Sequence, residues 1–496
     1  MEVKAHDGAR AQKWLCFLTV VLGTVVDYTD STMINIALPT MARSFQVDLS
    51  DIELIVTSYL LMITVLVIIF GRVADIYGRK RLYLTGFVIF TVASALCGAA
   101  PAIWLLVVFR CLQGIGGALL IANSMAILTE SFPPTERGKA LGILGSIIAG
   151  AIIVGPILGG FLSDHLGWRA VFYVNVPIGI AGFLLGMKVL ASQVTQEHRE
   201  RFDSGGALTF IASLSCFLIL INTLSDPAWS VTAVGVLLVA TLAFGALFFS
   251  IESRIEYPLL DLDLFRRRAF GTASGSAYLV LWSLSLVAFL LPFYLDRVLL
   301  LSPTTSGYIL APIAMFLVIF SPLGGHLADR FGPRPICMIG ALTICFGLIC
   351  LSTIGMETSA LGVVLRLVPI GVGGGLFMPA NNSAIMGAVP SNRFGVASGL
   401  IGAIRNFAAM SGVAVTSLVF TVIQSNALER AWAMDNAAEF AERQAFVSSV
   451  RVMFLIGAAI CSAAVITSFV RRDEKVEGGE ESLAAAEGVS QNYNGI

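Results

Sequence analysis

Between two long apolar runs, the chain reads Gly71-Arg72-Val73-Ala74-Asp75-Ile76-Tyr77-Gly78-Arg79-Lys80-Arg81. Each run needs about 20 residues to cross a hydrocarbon core of about 30 Å, and the quoted segment carries too much charge to lie within that core. We therefore predict a tight turn at one membrane face, where the glycines let two helix ends approach closely. The basic cluster Arg79, Lys80 and Arg81 assigns this face to the cytoplasm.

The composition indicates an all-α integral membrane protein. Of the 496 residues, 57% are hydrophobic and 13% are charged, and the mean hydropathy is +0.86. Soluble domains carry about 25% charged residues. The 8 cysteines lie in or beside apolar runs, and neither they nor the histidines show metal-ligand spacing. Because the sequence offers no nucleophile–base arrangement either, we expect no enzyme, no cofactor and no nucleic-acid partner.

The apolar runs predict fourteen transmembrane helices in an order of six, two and six. The predicted helices are 14–38, 52–73, 82–100, 102–130, 140–163, 170–191, 205–225, 229–251, 270–296, 305–328, 335–355, 359–388, 395–424 and 446–470. Residues 1–13 are expected to be a short polar tail. An even number of helices places both termini on one side, and most of the 31 Lys and Arg residues fall on that side if it is the cytoplasm. The expected location is the inner (plasma) membrane.

The predicted helices divide the chain into four parts. These are an N-terminal six-helix bundle (14–191), linkers with two inserted transmembrane helices (192–269), a C-terminal six-helix bundle (270–470) and a disordered cytoplasmic tail (471–496). The tail is charged and rich in small residues, a composition that disfavours a packed structure.

A second copy of the opening segment supports two related halves. Gly325–Gly332 repeats Gly71–Gly78, so that Asp329 corresponds to Asp75. Arg110 recurs as Arg366 at nearly the same offset of about 255 residues. Two like-oriented halves around a central cavity are the architecture of a rocker-type secondary transporter.

Two carboxylates lie within the first apolar run. Asp27 and Asp30 are three residues apart and share a helix face. A low dielectric and a neighbouring like charge both favour the protonated form of a carboxyl, so this pair could take up and release protons near neutral pH. The alternative is a carboxylate permanently paired with an arginine. Either aspartate could carry the coupling proton.

Two arginines lie within predicted helices at equivalent places. Arg110 is expected to pair with Asp30 or Asp27, or to face a water-filled cavity, because an unpaired buried arginine is implausible. Arg366 has no obvious carboxylate partner, and we expect it to bond to carbonyls or to Asn381 and Asn382. The residues predicted to line a substrate cavity are Gln113, Asn123, Asn35, Arg366 and Asn381.

The predicted helix 140–163 contains a Gly-Pro-x-x-Gly-Gly element made of Gly155, Pro156, Gly159 and Gly160. Such an element kinks a helix and gives it a flat surface for close packing. It is either a packing surface alone or a hinge and seal between the two halves.

These motifs resemble those of the major facilitator superfamily. Gly71–Arg81 resembles the signature between its second and third helices, and Gly325–Gly332 resembles the second copy. Arg110–Ala118 resembles the motif linked to proton transfer, and Gly155–Gly160 resembles the motif typical of antiporters. Asp30–Pro39 and Trp168–Pro177 resemble motifs of the fourteen-helix drug:proton antiporters of the EmrB/QacA type. The chain departs from that group at Thr29, where Leu is usual, at Asp27, which is an additional acid, and at Asp296, where Gln is expected; Asp296 is expected to contact Arg297 or water.

The resemblance implies a proton-driven exporter of amphipathic small molecules that works by alternating access. Asp30, helped by Asp27, would be the protonatable site, and Arg110 its electrostatic partner; the added acid favours cationic cargo. Implied partners are the cargo, protons and lipid, with a monomeric chain and, as a further option, envelope partner proteins. A cytoplasmic latch of the outward-open state is expected to involve Gly71, Asp75, Gly78, Arg79, Lys80 and Asp329. The alternatives are export of one metabolite, lipid or siderophore, and a non-transporting membrane sensor or scaffold.

Overall fold

The computed structural model describes residues 2–190, 203–225, 230–255, 260, 262–389, 394–432 and 438–470. Within these ranges all regular secondary structure is helical. The helices are α1 (Glu2–Phe45), α2 (Leu49–Ile52), α3 (Leu54–Tyr77), α4 (Arg79–Ala99), α5 (Ile103–Ser131), α6 (Pro134–His165), α7 (Arg169–Tyr173), α8 (Asn175–Val189), α9 (Ser204–Ser225), α10 (Val231–Glu252), α11 (Leu262–Arg266), α12 (Arg268–Arg297), α13 (Pro303–Phe331), α14 (Pro333–Leu351), α15 (Ala360–Gly387), α16 (Phe394–Trp432) and α17 (Ala438–Val470).

The helices are long and apolar enough for a protein that crosses the membrane many times. The described residues contain thirteen spans with the length and composition needed to cross a membrane, and two of these, Leu49–Gly71 and Arg169–Val189, each combine two consecutive helices. The predicted first span, 14–38, lies within the 44-residue α1. The residues of the expected polar tail 1–13 are helical from Glu2 onward and continue directly into that span. The predicted tail 471–496 lies outside the part of the chain that the structure describes.

The turn predicted at Gly71–Arg81 is confined to one residue. α3 continues to Tyr77 and α4 begins at Arg79, so the prediction of a longer turn is wrong. Gly78 between them has φ +92°, which L side chains rarely adopt. Gly332 has φ +84° between α13 and α14. The repeat in the sequence is therefore also a repeat of backbone geometry, because only glycine makes this sharp reversal without strain.

The helices pack as two groups with an additional pair. α1 packs on α5, α6 and α8, while α5 also contacts α3 and α4. In the C-terminal group, α15 packs on α13 and α14, and α17 on α12 and α14. The pair α9 and α10 lies against these groups through α9, which contacts α3 and α16. Most of the 18-residue apolar window of α10 is exposed, with 6% of it buried, as expected for a helix that faces lipid.

The two groups contact each other at one end of the bundle, which we call the Asp296 end. A Cβ added to Gly160 of α6 would lie 2.3 Å from the Pro303 carbonyl oxygen of α13. A Cβ added to Gly307 would lie 2.3 Å from the Pro156 carbonyl oxygen. The two backbones therefore touch here because both positions are glycine.

Polar contacts close the Asp296 end as well. Arg43 of α1 forms an ion pair with Asp296 of α12. The Thr304 hydroxyl of α13 donates to Asp164 at 2.8 Å. The expectation that Asp296 contacts Arg297 or water is therefore wrong, since its carboxylate joins the two groups of helices.

The opposite end, which we call the Gly78 end, is open between the groups. Four glycines of α6 on this side would meet no atom within 4 Å if given a Cβ: Gly138, Gly142, Gly145 and Gly150. The apolar cluster of the N-terminal helices here, which includes Val20, Phe87 and Leu144, has no member from the C-terminal group. Contact between the groups continues along α3, which shares a separate cluster with Met410 and Ala414 of α16. At the Asp296 end, by contrast, Met33 and Ile52 share one cluster with Phe289. The interior is therefore accessible from the Gly78 end.

Candidate functional site

Asp30 lies at the centre of a closed polar network within the N-terminal helices. Its exposed fraction is 0%. Its Oδ2 lies 2.7 Å from Arg110 Nη1, and its Oδ1 accepts hydrogen bonds from Gln113 Nε2 at 3.1 Å and Asn175 Nδ2 at 2.6 Å. The expected ion pair with Arg110 is thus present. Charged groups survive at such depth only when paired and fully hydrogen-bonded.

Arg110 has partners for its other faces as well. Its exposed fraction is 1%. Nε donates to the Ile55 carbonyl at 2.9 Å, and Nη1 also donates to Gln113 Oε1 at 2.6 Å. The guanidinium carbon lies 4.0 Å from the ring centroid of Tyr59, a cation–π distance. The arginine therefore connects α1, α3 and α5 around one carboxylate.

Asp27 has a separate partner. It is 5% exposed and accepts a hydrogen bond from the Tyr59 hydroxyl through Oδ1. Tyr59 therefore joins the two carboxylates, because its hydroxyl bonds to Asp27 while its ring lies on Arg110. The sequence did not reveal this role, because the position of a tyrosine within an apolar run does not indicate which neighbouring helix its side chain faces.

The accessible side of α1 is not the side that carries the aspartates. Tyr28 and Asn35 are half-buried, whereas Asp27 and Asp30 are buried. Tyr28 faces the C-terminal group, since its hydroxyl accepts a hydrogen bond from Arg405 Nη1 of α16 at 2.8 Å. Arg405 was not predicted as a site residue. Its position inside an apolar run was the available signal, because ionisable residues there are functional candidates by default.

Three of the residues predicted to line the cavity are instead buried in helix packing. Gln113 belongs to the Asp30 network, and Asn123 Nδ2 donates to the Leu119 carbonyl of its own helix at 2.7 Å. Asn381 Nδ2 donates to the Ala273 carbonyl of α12 at 3.1 Å. The cavity assignment of these three is therefore corrected, because their side chains bond to neighbouring helix atoms and are buried.

Arg366 does not reproduce the role of Arg110. Its Nε donates to the Cys350 carbonyl and to Thr353 Oγ1, both at 3.1 Å, and its Nη1 donates to the Gly362 carbonyl at 2.8 Å. These partners belong to the end of α14, the residues just after it and the first turn of α15. Of the two alternatives considered, carbonyl bonding is the one present, and the prediction that Arg366 lines the cavity is corrected.

The basic residues of the predicted latch contact their own group of helices. Arg79 forms an ion pair with Glu130 at the end of α5. Lys80 Nζ donates to the carbonyls of Met187, at 3.3 Å, and Leu190. Cations near helix C-termini are favoured by the helix dipole. Asp329 is exposed, and the side chain of Asp75 lies outside the described residues.

The Gly-Pro-x-x-Gly-Gly element packs against both groups. A Cβ on Gly159 would lie 2.7 Å from Met33 Cα of α1, whereas Gly160 faces α13. Gly155 faces Thr32 of α1. The element therefore lies where α6 contacts a helix of each group, which suits either of its two predicted roles.

This chain matches one family model and is similar to several transport and resistance proteins. The model described as Major Facilitator Superfamily matches residues 20–413 and 273–489. The chain is similar to the riboflavin transporter RibZ of Clostridioides difficile, with 30% identity over 94% of this chain and 99% of the relative. It is similar to the tetracenomycin C resistance and export protein of Streptomyces glaucescens, with 31% identity over 88% and 82%. It is also similar to multidrug resistance protein 3 of Bacillus subtilis, with 30% identity over 83% and 81%.

Solved structures share the fold. A bacterial homologue of the human lysosomal transporter Spinster, in an inward-facing and occupied conformation, superimposes with a TM-score of 0.67 and 17% identity. The match covers 92% of this chain and 96% of that one. At this identity the likeness concerns the fold alone.

Proposed function

Because the chain belongs to the Major Facilitator Superfamily, whose members are transporters and not enzymes, we propose that it is a proton-coupled antiporter that exports amphipathic small molecules by alternating access. The observation that carries the proposal is the completely buried Asp30, held by three donors of the N-terminal helices. An ionisable residue buried inside the membrane is expensive and marks a functional site by default.

Proton binding at Asp30 would act through the contacts of Arg110. Protonation removes the negative charge that Arg110 neutralises and leaves the arginine as an uncompensated buried charge. Arg110 also bonds to the Ile55 carbonyl of α3, and α3 packs against α16 of the C-terminal group. A change in this pair is therefore transmitted to a surface between the groups, which is what alternating access requires.

The proposed architecture is the fourteen-helix arrangement of the EmrB/QacA type. It consists of two six-helix bundles, 14–191 and 270–470, and of an inserted pair, α9 and α10, within 192–269. α1 supplies the first helix of the first bundle. Both termini are cytoplasmic, so that the Gly78 end faces the cytoplasm and the described conformation opens inward. The protein lies in the plasma membrane, works as a monomer and needs no cofactor, since the proton gradient supplies the energy.

We propose that Asp75 belongs to a cytoplasmic latch that closes when the Asp296 end opens. In the described state Arg79 and Lys80 bond within the N-terminal helices. Asp75→Asn should impair turnover and leave substrate binding largely intact; lost binding with unaltered turnover would contradict the latch.

A second candidate is export of one specific metabolite. The similarity to RibZ, a riboflavin transporter, extends over 94% of this chain and favours this alternative. The preference for cationic cargo expected from the sequence would require a carboxylate at the interior surface, whereas Asp27 and Asp30 are both buried.

The test uses inside-out vesicles that carry an imposed proton gradient. Addition of a transported compound should dissipate the gradient in vesicles with the wild-type chain and not in vesicles without it. A panel of structurally unrelated compounds separates multidrug export, in which several respond, from export of a single metabolite. If no compound produces proton flux while radiolabelled compounds still accumulate, the coupling proposal is wrong; absence of both would favour a sensor or scaffold.

A further inference from the structure

The interior surface between the two groups of helices carries a cation instead of a free carboxylate. Arg405 of α16 is half-buried, and its Nη1 donates to the Tyr28 hydroxyl of α1 at 2.8 Å. Its guanidinium carbon lies 5.4 Å from the centroid of the Tyr28 ring. Among the described residues no carboxylate lies within ion-pair distance of it. A guanidinium has five donors, so most of them remain available.

The two aspartates nearby do not offer their charge to a ligand. Asp30 is neutralised by Arg110, and Asp27 accepts a hydrogen bond from the Tyr59 hydroxyl; both are buried, whereas Tyr28 is half-buried. The charge of Asp27 acts on Arg405 at longer range. A molecule that enters from the open Gly78 end therefore meets Arg405 and the Tyr28 ring before it could meet either carboxylate.

The aromatic ring beside Arg405 is that of Tyr28, whose centroid lies 5.4 Å from the guanidinium carbon. The stacked pair of Phe407 and Tyr278 lies on another face of α16, because residues two apart do not share a helix face. Aromatic side chains bind planar ligands by offset stacking, and a guanidinium binds carboxylates and other oxyanions through its planar fork.

We propose that Arg405 and Tyr28 determine specificity by binding the oxyanion of an acidic, planar aromatic cargo. The proposal rests on the proposed export function and names the chemical class of its substrate. In this arrangement the cargo oxyanion accepts hydrogen bonds from the Arg405 guanidinium. The aromatic ring of the cargo lies beside Tyr28 at the surface between the two groups. Because Arg405 and Tyr28 belong to different groups, the ligand would touch both, as a cargo must in alternating access.

The charge of such a cargo also suits export. The exit of an anion and the entry of a proton both make the inside of the cell more positive. A membrane potential that is negative inside therefore drives both movements. A cationic cargo would have to leave against this potential.

The test measures equilibrium binding to the purified full-length chain in detergent, by fluorescence anisotropy at pH 7.5. The probes are fluorescein and rhodamine 6G, which share a planar xanthene ring and carry opposite charges. Wild-type protein should bind fluorescein at least about tenfold more tightly than rhodamine 6G, the factor expected from one charge-assisted contact. Equal affinities, or tighter binding of rhodamine 6G, would overturn the proposal.

The variants locate the effect. Arg405→Gln should lower fluorescein affinity about tenfold and leave rhodamine 6G affinity unchanged or higher, which also reports that the protein remains folded. Arg405→Lys should keep the preference for fluorescein, with a smaller ratio of the fluorescein affinity to the rhodamine 6G affinity. The positive charge remains, but the planar pair of guanidinium donors is lost. Tyr28→Phe should reduce the ratio less than Arg405→Gln does. Unchanged fluorescein affinity in Arg405→Gln would refute the assignment.

The matched control removes an equal charge elsewhere. Arg266 lies on α11 with a side chain that is 85% exposed, so Arg266→Gln should leave both affinities unchanged. An equal loss of fluorescein affinity in Arg266→Gln and Arg405→Gln would show that only net charge matters, and would contradict the site. These measurements need no proton gradient, so a failure of proton coupling and a failure of this site are distinguishable.

Discussion

Arg110 Nη1 and Asp30 Oδ2 lie 2.7 Å apart, and both side chains are completely enclosed by the N-terminal helices. The pair is closed by Gln113 and Asn175, which donate to the other carboxylate oxygen. A buried pair of this kind contributes little net stability, yet removal of one partner is costly. Its place in the interior therefore points to conformational control more than to fold stability.

Asp30→Asn should abolish substrate-dependent proton flux, because an amide has no titratable proton. The variant should also be destabilised by about 3–5 kcal/mol, since Arg110 is left as an unpaired buried charge. Proton flux is measured in inside-out vesicles and the amount of folded protein by gel filtration.

The double variant Asp30→Asn/Arg110→Gln separates these two effects. It removes both charges and should recover folded protein without recovering proton flux. Normal coupled transport in the double variant would exclude Asp30 as the coupling site, whereas Asp27→Asn tests whether the second carboxylate is needed.

Loss of the Arg43–Asp296 ion pair should favour opening of the Asp296 end. Ile309 is buried in the cluster that joins both groups there, so Ile309→Cys, in a chain whose native cysteines are replaced by alanine, reports opening through its labelling by an impermeant maleimide. Asp296→Asn should raise the labelling rate roughly two- to fivefold, as expected for a partly exposed pair worth up to about 1 kcal/mol.

The charge-swapped variant Arg43→Asp/Asp296→Arg is the control for that ion pair. It should return labelling of Ile309→Cys towards the wild-type rate, because the attraction is restored with its polarity reversed. If Asp296→Asn and the swapped variant label equally fast, the ion pair does not hold this end closed.

Gly160→Ala should disfavour the conformation described here. The added methyl would lie 2.3 Å from the Pro303 carbonyl oxygen, so α6 and α13 would have to separate. Overpacking of this kind costs about 1–3 kcal/mol, and labelling of Ile309→Cys should increase at least about fivefold. Gly142→Ala on the open part of the same helix is the matched control, because its methyl meets no atom within 4 Å. An equal response of the two variants would argue against the seal.

Gly78→Ala should destabilise the fold by about 1–3 kcal/mol, because φ +92° is a conformation that residues with a side chain rarely adopt. Gly71→Ala is the comparison, since Gly71 lies within α3 and a methyl there has free space. It should be neutral or slightly stabilising. Thermal unfolding in detergent measures both variants, and equal melting temperatures would contradict the turn geometry.

The sequence alone determined that the chain crosses the membrane repeatedly and that the segment Gly71–Gly78 recurs at Gly325–Gly332. The length of each apolar run indicates a membrane-spanning helix, since backbone groups in a bilayer must form their hydrogen bonds within helices. The glycine repeat was readable because positive φ selects glycine at Gly78 and Gly332. The Asp30–Arg110 pair was predictable too, because a buried arginine requires a partner and few carboxylates exist in the spans.

Only the tertiary structure decided which polar residues face the interior and which end is closed. Asn123, Asn381 and Gln113 are buried in helix contacts, whereas Tyr28 and Arg405 meet between the two groups. The rotation of each helix about its axis depends on packing against neighbours far away in sequence, and apolar residues surround these helices on all sides. The pairing of Arg43 with Asp296 likewise joins residues that are 253 positions apart in the chain, and no local spacing encodes it.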